Sequence, residues 1–238
     1  MSQKFETILV VDTSLPYCRV AVRQGEKVFF QSAGPMRRGQ DAALPGVVAA
    51  AMAEAGINFQ ALDGLGVVTG PGSFTGLRVG LAYIKGIAIA RQIPVTAISN
   101  LALYALITAA DHGVQNSAAA VPIKSDSVIW QAFGPHEESG DFAALNKPAE
   151  IAPSDFVTLA HLKISVPEAV VSRIEDDKAL SMVIPTPFNP VILIDLVDRQ
   201  LSNDIACFSS DHLSGLAPLY VHGVDITVDG AHTVVNVK

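Results

Sequence analysis

Gly70-Pro71-Gly72-Ser73-Phe74-Thr75-Gly76-Leu77-Arg78 is the most informative stretch of the chain. Before it, Leu65 to Thr69 is an apolar run with the length of a buried strand. After it, the pattern predicts a helix from about Thr75 to Arg91. The stretch is therefore a strand-to-helix turn. Its glycines permit backbone angles closed to other residues and let another group approach closely. Ser73 or Thr75 can cap the helix, and free N–H groups at a helix start attract anions. The phosphate-loop pattern fails, because Leu77-Arg78 stands where Lys and then Ser or Thr is needed. The dinucleotide pattern fails too, since it requires glycine at position 75. Three readings stay open: a tight connection, an anion-binding turn, and a close protein–protein contact. Asp12, Thr13, Gly70, Gly72, Ser73 and Thr75 are the candidates for lying near a nucleotide or anion.

Projected at about 100° per residue, Gly76, Gly80, Tyr83, Gly86, Ile87 and Ala90 share one face of the following helix. Arg78 and Lys85 fall opposite. Each glycine inside a helix costs roughly 1 kcal/mol relative to alanine, a cost that close backbone packing can offset. A second smooth helix is predicted over Asp41 to Ala55, with Gly56 as its terminating glycine. Pro45 is awkward there unless it lies in the first turn. Two smooth helices pack on their own sheet, or form a helix-pair interface inside the chain or with another subunit. The interface reading expects Gly80→Arg to abolish pairing while leaving the monomer folded.

Upstream, Thr7 to Val11 reads as a buried strand meeting the polar turn Asp12-Thr13-Ser14. Cys18 to Gln24 and Lys27 to Gln31 form a hairpin around Gly25-Glu26. Downstream come a strand, Val95 to Ile98, and a helix, Asn100 to Ala110. This order gives an α/β lobe with a mixed sheet. Beyond it, Ala118 to Val121 and Val128 to Phe133 read as a strand pair. Pro135 to Pro153 reads as a polar loop, Val166 to Val171 as a strand and Val191 to Leu201 as an amphipathic helix. The expected organisation is an N-terminal lobe over 1–106 and a smaller, diverged second lobe over 107–238. A helix at about 190–201 packs back on the first lobe.

The chain has 238 residues, half of them hydrophobic, which is enough for a sizeable core. Its net charge of −7 argues against gripping nucleic acid alone, since each phosphate contact needs Lys or Arg. Only Arg37-Arg38 forms a basic pair. Cys18 and Cys207 read as reduced, buried thiols. No stretch reaches the roughly 20 apolar residues that span a bilayer, and no signal segment is visible, so a soluble, cytoplasmic protein is expected. The histidines at 112, 136, 161, 212, 222 and 232 are never within four residues of one another, against the helical pair that a metallopeptidase needs. A serine-hydrolase elbow is present only in a shifted form. A small nucleotide-dependent enzyme rests on Asp12 and the glycine turn alone.

The same residues carry a family resemblance. Ile8-Leu9-Val10-Val11-Asp12-Thr13-Ser14 resembles the opening strand of the actin/Hsp70/sugar-kinase superfamily. Gly70 to Arg78 closely resembles the signature of the TsaB (YeaZ-like) family. Val79 to Ala82, Lys85 to Ala88 and Ile93 to Leu101 fit as well, and so do Leu44-Pro45 and Pro218-Leu219-Tyr220-Val221. The family's usual histidine before the first helix is replaced near Gly39-Gln40, and its Asp-Ala-Arg strand start by Pro122 to Asp126. The resemblance implies a two-lobed actin-like (ASKHA, ribonuclease H-like) α/β fold with mixed sheets and a reduced second lobe. It implies a non-catalytic subunit that pairs through its first-lobe helices with a TsaD-like catalytic subunit, joined by a TsaE-like ATPase. Together they form threonylcarbamoyladenosine on tRNA, which this chain meets only through the complex. It implies a homodimer in the partner's absence and no metal. It implies no cofactor of the chain's own, with ATP or ADP only at the complex interface. Relatives of this kind have also been called glycoprotease-like or M22-like.

Overall fold

The computed structural model describes residues 5–124, 126–136, 141–203, 210–219, 224–228 and 231–235. Strands β1 (Thr7–Asp12), β2 (Cys18–Gln24) and β3 (Lys27–Ala33) form an antiparallel meander. Gly25 turns the first hairpin at φ 61°, a left-handed angle that glycine adopts without strain. Helix α1 (Gln40–Glu54) leads to β4 (Gly64–Val68), and α2 (Phe74–Arg91) leads to β5 (Val95–Ile98). Both strands run parallel to β1, giving the order β3-β2-β1-β4-β5. Central strands β1 and β4 are buried at every residue, as a sheet covered on both faces requires.

Helix α3 (Asn100–His112) then starts the second half. Strands β6 (Ser117–Lys124), β7 (Ser127–Pro135), β8 (Phe142–Ala144), β9 (Ala149–Ile151), β10 (Lys163–Pro167) and β11 (Val183–Thr186) form a second sheet. Its order is β11-β10-β6-β7-β8, with β9 also on β7. Here β8, β7 and β6 are antiparallel, while β6, β10 and β11 are parallel. The second sheet thus repeats the first in order and sense. This duplicated mixed sheet is the two-lobed actin-like architecture. What is reduced is the crossovers. A 3₁₀ helix (Pro153–Leu159) precedes β10. A second 3₁₀ helix (Glu168–Arg173) and the four-residue α4 (Asp177–Leu180) precede β11.

Two expectations need correction. The region 135–153 is not only loop, because it holds β8 and β9. The strand expected over 166–171 ends at Pro167, and the chain then turns into a 3₁₀ helix. Proline cannot donate to a ladder, which favours the strand's end there.

The sheets are joined by an exchange of helices. Helix α3 leaves the first sheet and packs on β6, β7 and β10 of the second. Helix α5 (Pro190–Asn203) leaves the second sheet and packs on β1, β4 and β5 of the first. Leu193, Ile194, Val197 and Leu201 of α5 are fully buried, at helical spacing. Burial of each contributes about 1.5–3 kcal/mol. Gly64 and Gly66 of β4 make room for them: a Cβ on Gly66 would stand 2.6 Å from Val197 Cγ2. The 106/107 boundary falls inside α3. A short helix, α6 (Ser210–Gly215), follows, in which His212 Nε2 donates to Val95 O at 2.7 Å. A hairpin, β12 (Val224–Val228) and β13 (Ala231–Val235), comes last. Cys207, Tyr220 and Val221 lie outside the described residues. Among the described residues no helix is long and apolar enough to cross a membrane.

Candidate functional site

The glycine turn and the end of β1 are tied together by backbone. Ser73 N donates to Ser14 O at 2.7 Å, and Thr13 Oγ1 donates to Gly76 O at 2.7 Å. Asn100, fully buried, donates through Nδ2 to Ser14 Oγ at 2.8 Å and to Pro71 O at 2.9 Å. Its own N–H reaches Gly70 O at 2.8 Å. A Cβ on Gly72 would lie 2.1 Å from Ser14 O, so the turn needs glycine for close approach. Gly70, at φ 103°, needs it for its backbone angle. Ser73 caps α2 by accepting from Gly76 N.

Gln40 completes this joint, and no pattern in the sequence announced it. Its side chain, 5% exposed, donates through Nε2 to Thr13 O, Leu15 O and Tyr17 O at 3.1, 2.9 and 3.1 Å. It occupies the start of α1, close to where the family pattern carries histidine. Pro45 is the sixth residue of α1, outside the first turn, and is exposed.

Asp12 is 1% exposed. Its Oδ1 accepts from Ser14 N at 2.9 Å and from Ser14 Oγ. Its Oδ2 faces Arg19 Nη1 at 3.8 Å. Asp12, Thr13 and Gly70 are sealed inside, and Gly72 is half-buried. Of the six nucleotide or anion candidates, only Ser73 and Thr75 are exposed. The carboxylate serves a turn and a buried cation. Among the described residues no group of three or more His, Cys, Asp or Glu could hold a metal. A cleft of about 390 Å³ does open beside the turn, between Leu15, Gly72 and Ser73 on one side and Val121 to Ile123 on the other. Arg37 and Arg173 line it, and no carboxylate does.

The glycine face of α2 divides in two, which corrects the projected interface. Gly76 and Gly80 face inward. A Cβ on Gly76 would stand 2.1 Å from Thr13 O, and one on Gly80 would stand 2.4 Å from Thr13 Oγ1. Tyr83 and Ile87 are half-buried, while Gly86 and Ala90 are exposed. The open face of α2 is therefore Thr75, Arg78, Ala82, Gly86, Ala90 and Ile89, the last 61% exposed. Beside it, α1 exposes Gly46, Ala49, Ala50 and Ala53. A Cβ on Gly46 or Gly86 would meet nothing within 4 Å. Two adjacent helices thus present a surface made largely of small side chains, from which Arg78 and Ile89 project.

A profile of the family described as TsaD, tRNA N6-adenosine threonylcarbamoyltransferase, matches residues 37–141. The tRNA threonylcarbamoyladenosine biosynthesis protein TsaB of Haemophilus influenzae is 29% identical over 174 residues, 73% of this chain and 70% of that protein. YeaZ from Pseudomonas aeruginosa superimposes with a TM-score of 0.70 at 23% identity, over 91% of this chain and 100% of that one. The chain is similar to the TsaB/YeaZ family. Likeness to the transferase itself is confined to a segment. The tRNA N6-adenosine threonylcarbamoyltransferase of Nitrobacter winogradskyi is 41% identical over 63 residues, which is 26% of this chain and only 18% of that enzyme. The stretch matched by the TsaD profile runs from just before α1 to the end of β7, so it contains the turn and both smooth helices.

Proposed function

We propose that this chain is a TsaB-like, non-catalytic subunit in the formation of threonylcarbamoyladenosine on tRNA. It pairs with a TsaD-like catalytic subunit through the open faces of α1 and α2. A TsaE-like ATPase joins the pair, and tRNA is held by the assembly. In the partner's absence the same face pairs two copies of this chain in the cytoplasm. The observation that carries this reading is the smooth surface of Gly46, Ala49, Ala50, Ala82, Gly86 and Ala90. Small side chains allow two helices to approach closely without ordering long ones, which keeps the entropic cost of association low. The sealed carboxylate of Asp12 supports a role without chemistry of its own, and the net charge of −7 fits tRNA being held by the assembly and not by this chain alone.

The test is reconstitution. With the same organism's TsaD-like and TsaE-like proteins, threonylcarbamoyl transfer to tRNA should depend on this chain. Transfer at the same rate without it would defeat the proposal.

A second reading, a small nucleotide-dependent enzyme of the same superfamily, draws on one observation: the cleft with Arg37 and Arg173 and no carboxylate in its lining. Such a lining suits a phosphate. ATP binding and hydrolysis by the isolated chain would favour it, with the nucleotide belonging to this chain and not to a complex interface.

A further inference from the structure

Away from the turn and the smooth helices, a cavity of about 290 Å³ lies where the two halves meet. It is lined by Tyr17, Arg19, Tyr104, Glu168, Thr186 and Phe188, with Ala169. Arg19 is 8% exposed and clamped between two rings, 4.6 Å from the Tyr17 centroid and 4.5 Å from that of Phe188. This stacking fixes the plane of the guanidinium. Its Nη1 donates to Tyr104 Oη at 3.1 Å and faces Asp12 at 3.8 Å. Nε and Nη2 have no acceptor among the described residues. Unlike Arg23 Nε, neither atom is sealed from solvent, and Arg19 lines the cavity. A buried guanidinium with one edge free is a preformed fork for two oxygen atoms.

The charges around it narrow the class of ligand. Asp12 already offsets Arg19. Glu168, exposed at the rim, forms no ion pair among the described residues. A plain anion would add a second negative charge beside Glu168. A zwitterion adds none: its carboxylate meets Arg19 and its ammonium faces Glu168. The volume equals roughly ten water molecules, which suits a small amino acid.

We propose that this cavity binds a small α-amino acid, with the carboxylate on the free edge of Arg19 and the ammonium facing Glu168. The site is separate from the helix face proposed for pairing, and it stands or falls without that reading.

Calorimetric titration of the full chain with L-alanine, L-serine, L-threonine and L-valine tests it. Isobutyrate, which lacks the ammonium, and ethanolamine, which lacks the carboxylate, are the controls. Binding of at least one amino acid is expected, with both controls weaker by roughly tenfold or more. Glu168→Gln changes an exposed residue and leaves the fold intact. It should weaken the amino acid about tenfold and bring it level with isobutyrate. Arg19→Lys keeps the charge near Asp12 but loses the fork, and should abolish binding. No binding of any amino acid at millimolar concentration would overturn the proposal. So would isobutyrate binding as tightly as the amino acids, or an unchanged affinity in Glu168→Gln.

Discussion

Gly76 and Thr13 are in backbone contact: a methyl group on Gly76 would stand 2.1 Å from the Thr13 carbonyl oxygen, while Thr13 Oγ1 donates to Gly76 O at 2.7 Å. The helix start and the end of β1 are thereby locked together. Gly76→Ala forces the two backbones apart, as does Gly72→Ala against Ser14 O. Each should destabilise the folded chain by about 3 kcal/mol, the upper range for overpacking a core. Urea unfolding checks this, and a wild-type midpoint in both variants would contradict the packing described.

Gly80 and Gly86 lie on one helix but separate two roles. Gly80→Arg must push its side chain toward Thr13 Oγ1, so it should unfold the monomer, contrary to the expectation from the sequence. Gly86→Arg projects into open space, so it should leave the melting temperature near wild type and prevent pairing. Circular dichroism and light scattering on the two variants distinguish these outcomes.

Asn100 holds Ser14 Oγ and Pro71 O from a fully buried position. Asn100→Ala leaves two buried groups without a donor. The expected loss is about 2 kcal/mol, measured by chemical denaturation.

Burial pushes the Tyr104 hydroxyl's pKa well above the usual tyrosine range, more than the neighbouring Arg19 lowers it. The unfolded chain loses this proton near pH 10 while the folded one keeps it. Stability from this group is therefore complete below about pH 10 and declines as pH rises beyond it. Tyr104→Phe should flatten the alkaline limb of a stability-against-pH curve. An equally steep limb in the variant would exclude Tyr104 as its source.

Cys18 is buried, and burial followed by the nearby Asp12 and Asp41 charges raises its pKa. The thiolate is the reactive form. Alkylation by iodoacetamide at neutral pH should therefore be slow in the folded chain and fast in urea.

The first sheet was legible because glycines punctuate it: Gly25, Gly56 and the 70–76 turn fall at element ends, and Val95–Ile98 matches the expected strand. The second sheet was not, because β8 and β9 have three residues each, too few to show alternation. The repeat between the sheets was invisible because strand order, not sequence, is what repeats. The helical projection grouped residues that the structure divides, because it could not show which side of α2 meets the sheet. Gly80 and Gly86 are about 120° apart at 100° per residue, so one broad face spans both core and surface. Gln40 and Arg19 gave no signal, since a single polar residue at a helix start or in a strand more often meets solvent than a buried cluster of acceptors.

The most direct test of the account is co-purification of the same organism's TsaD-like protein with this chain and with its Gly86→Arg and Ala49→Arg variants. Capture by wild type, and loss of capture by both variants at wild-type stability, is the predicted result. Equal capture by all three would contradict the assignment of the α1–α2 face as the surface through which this chain acts.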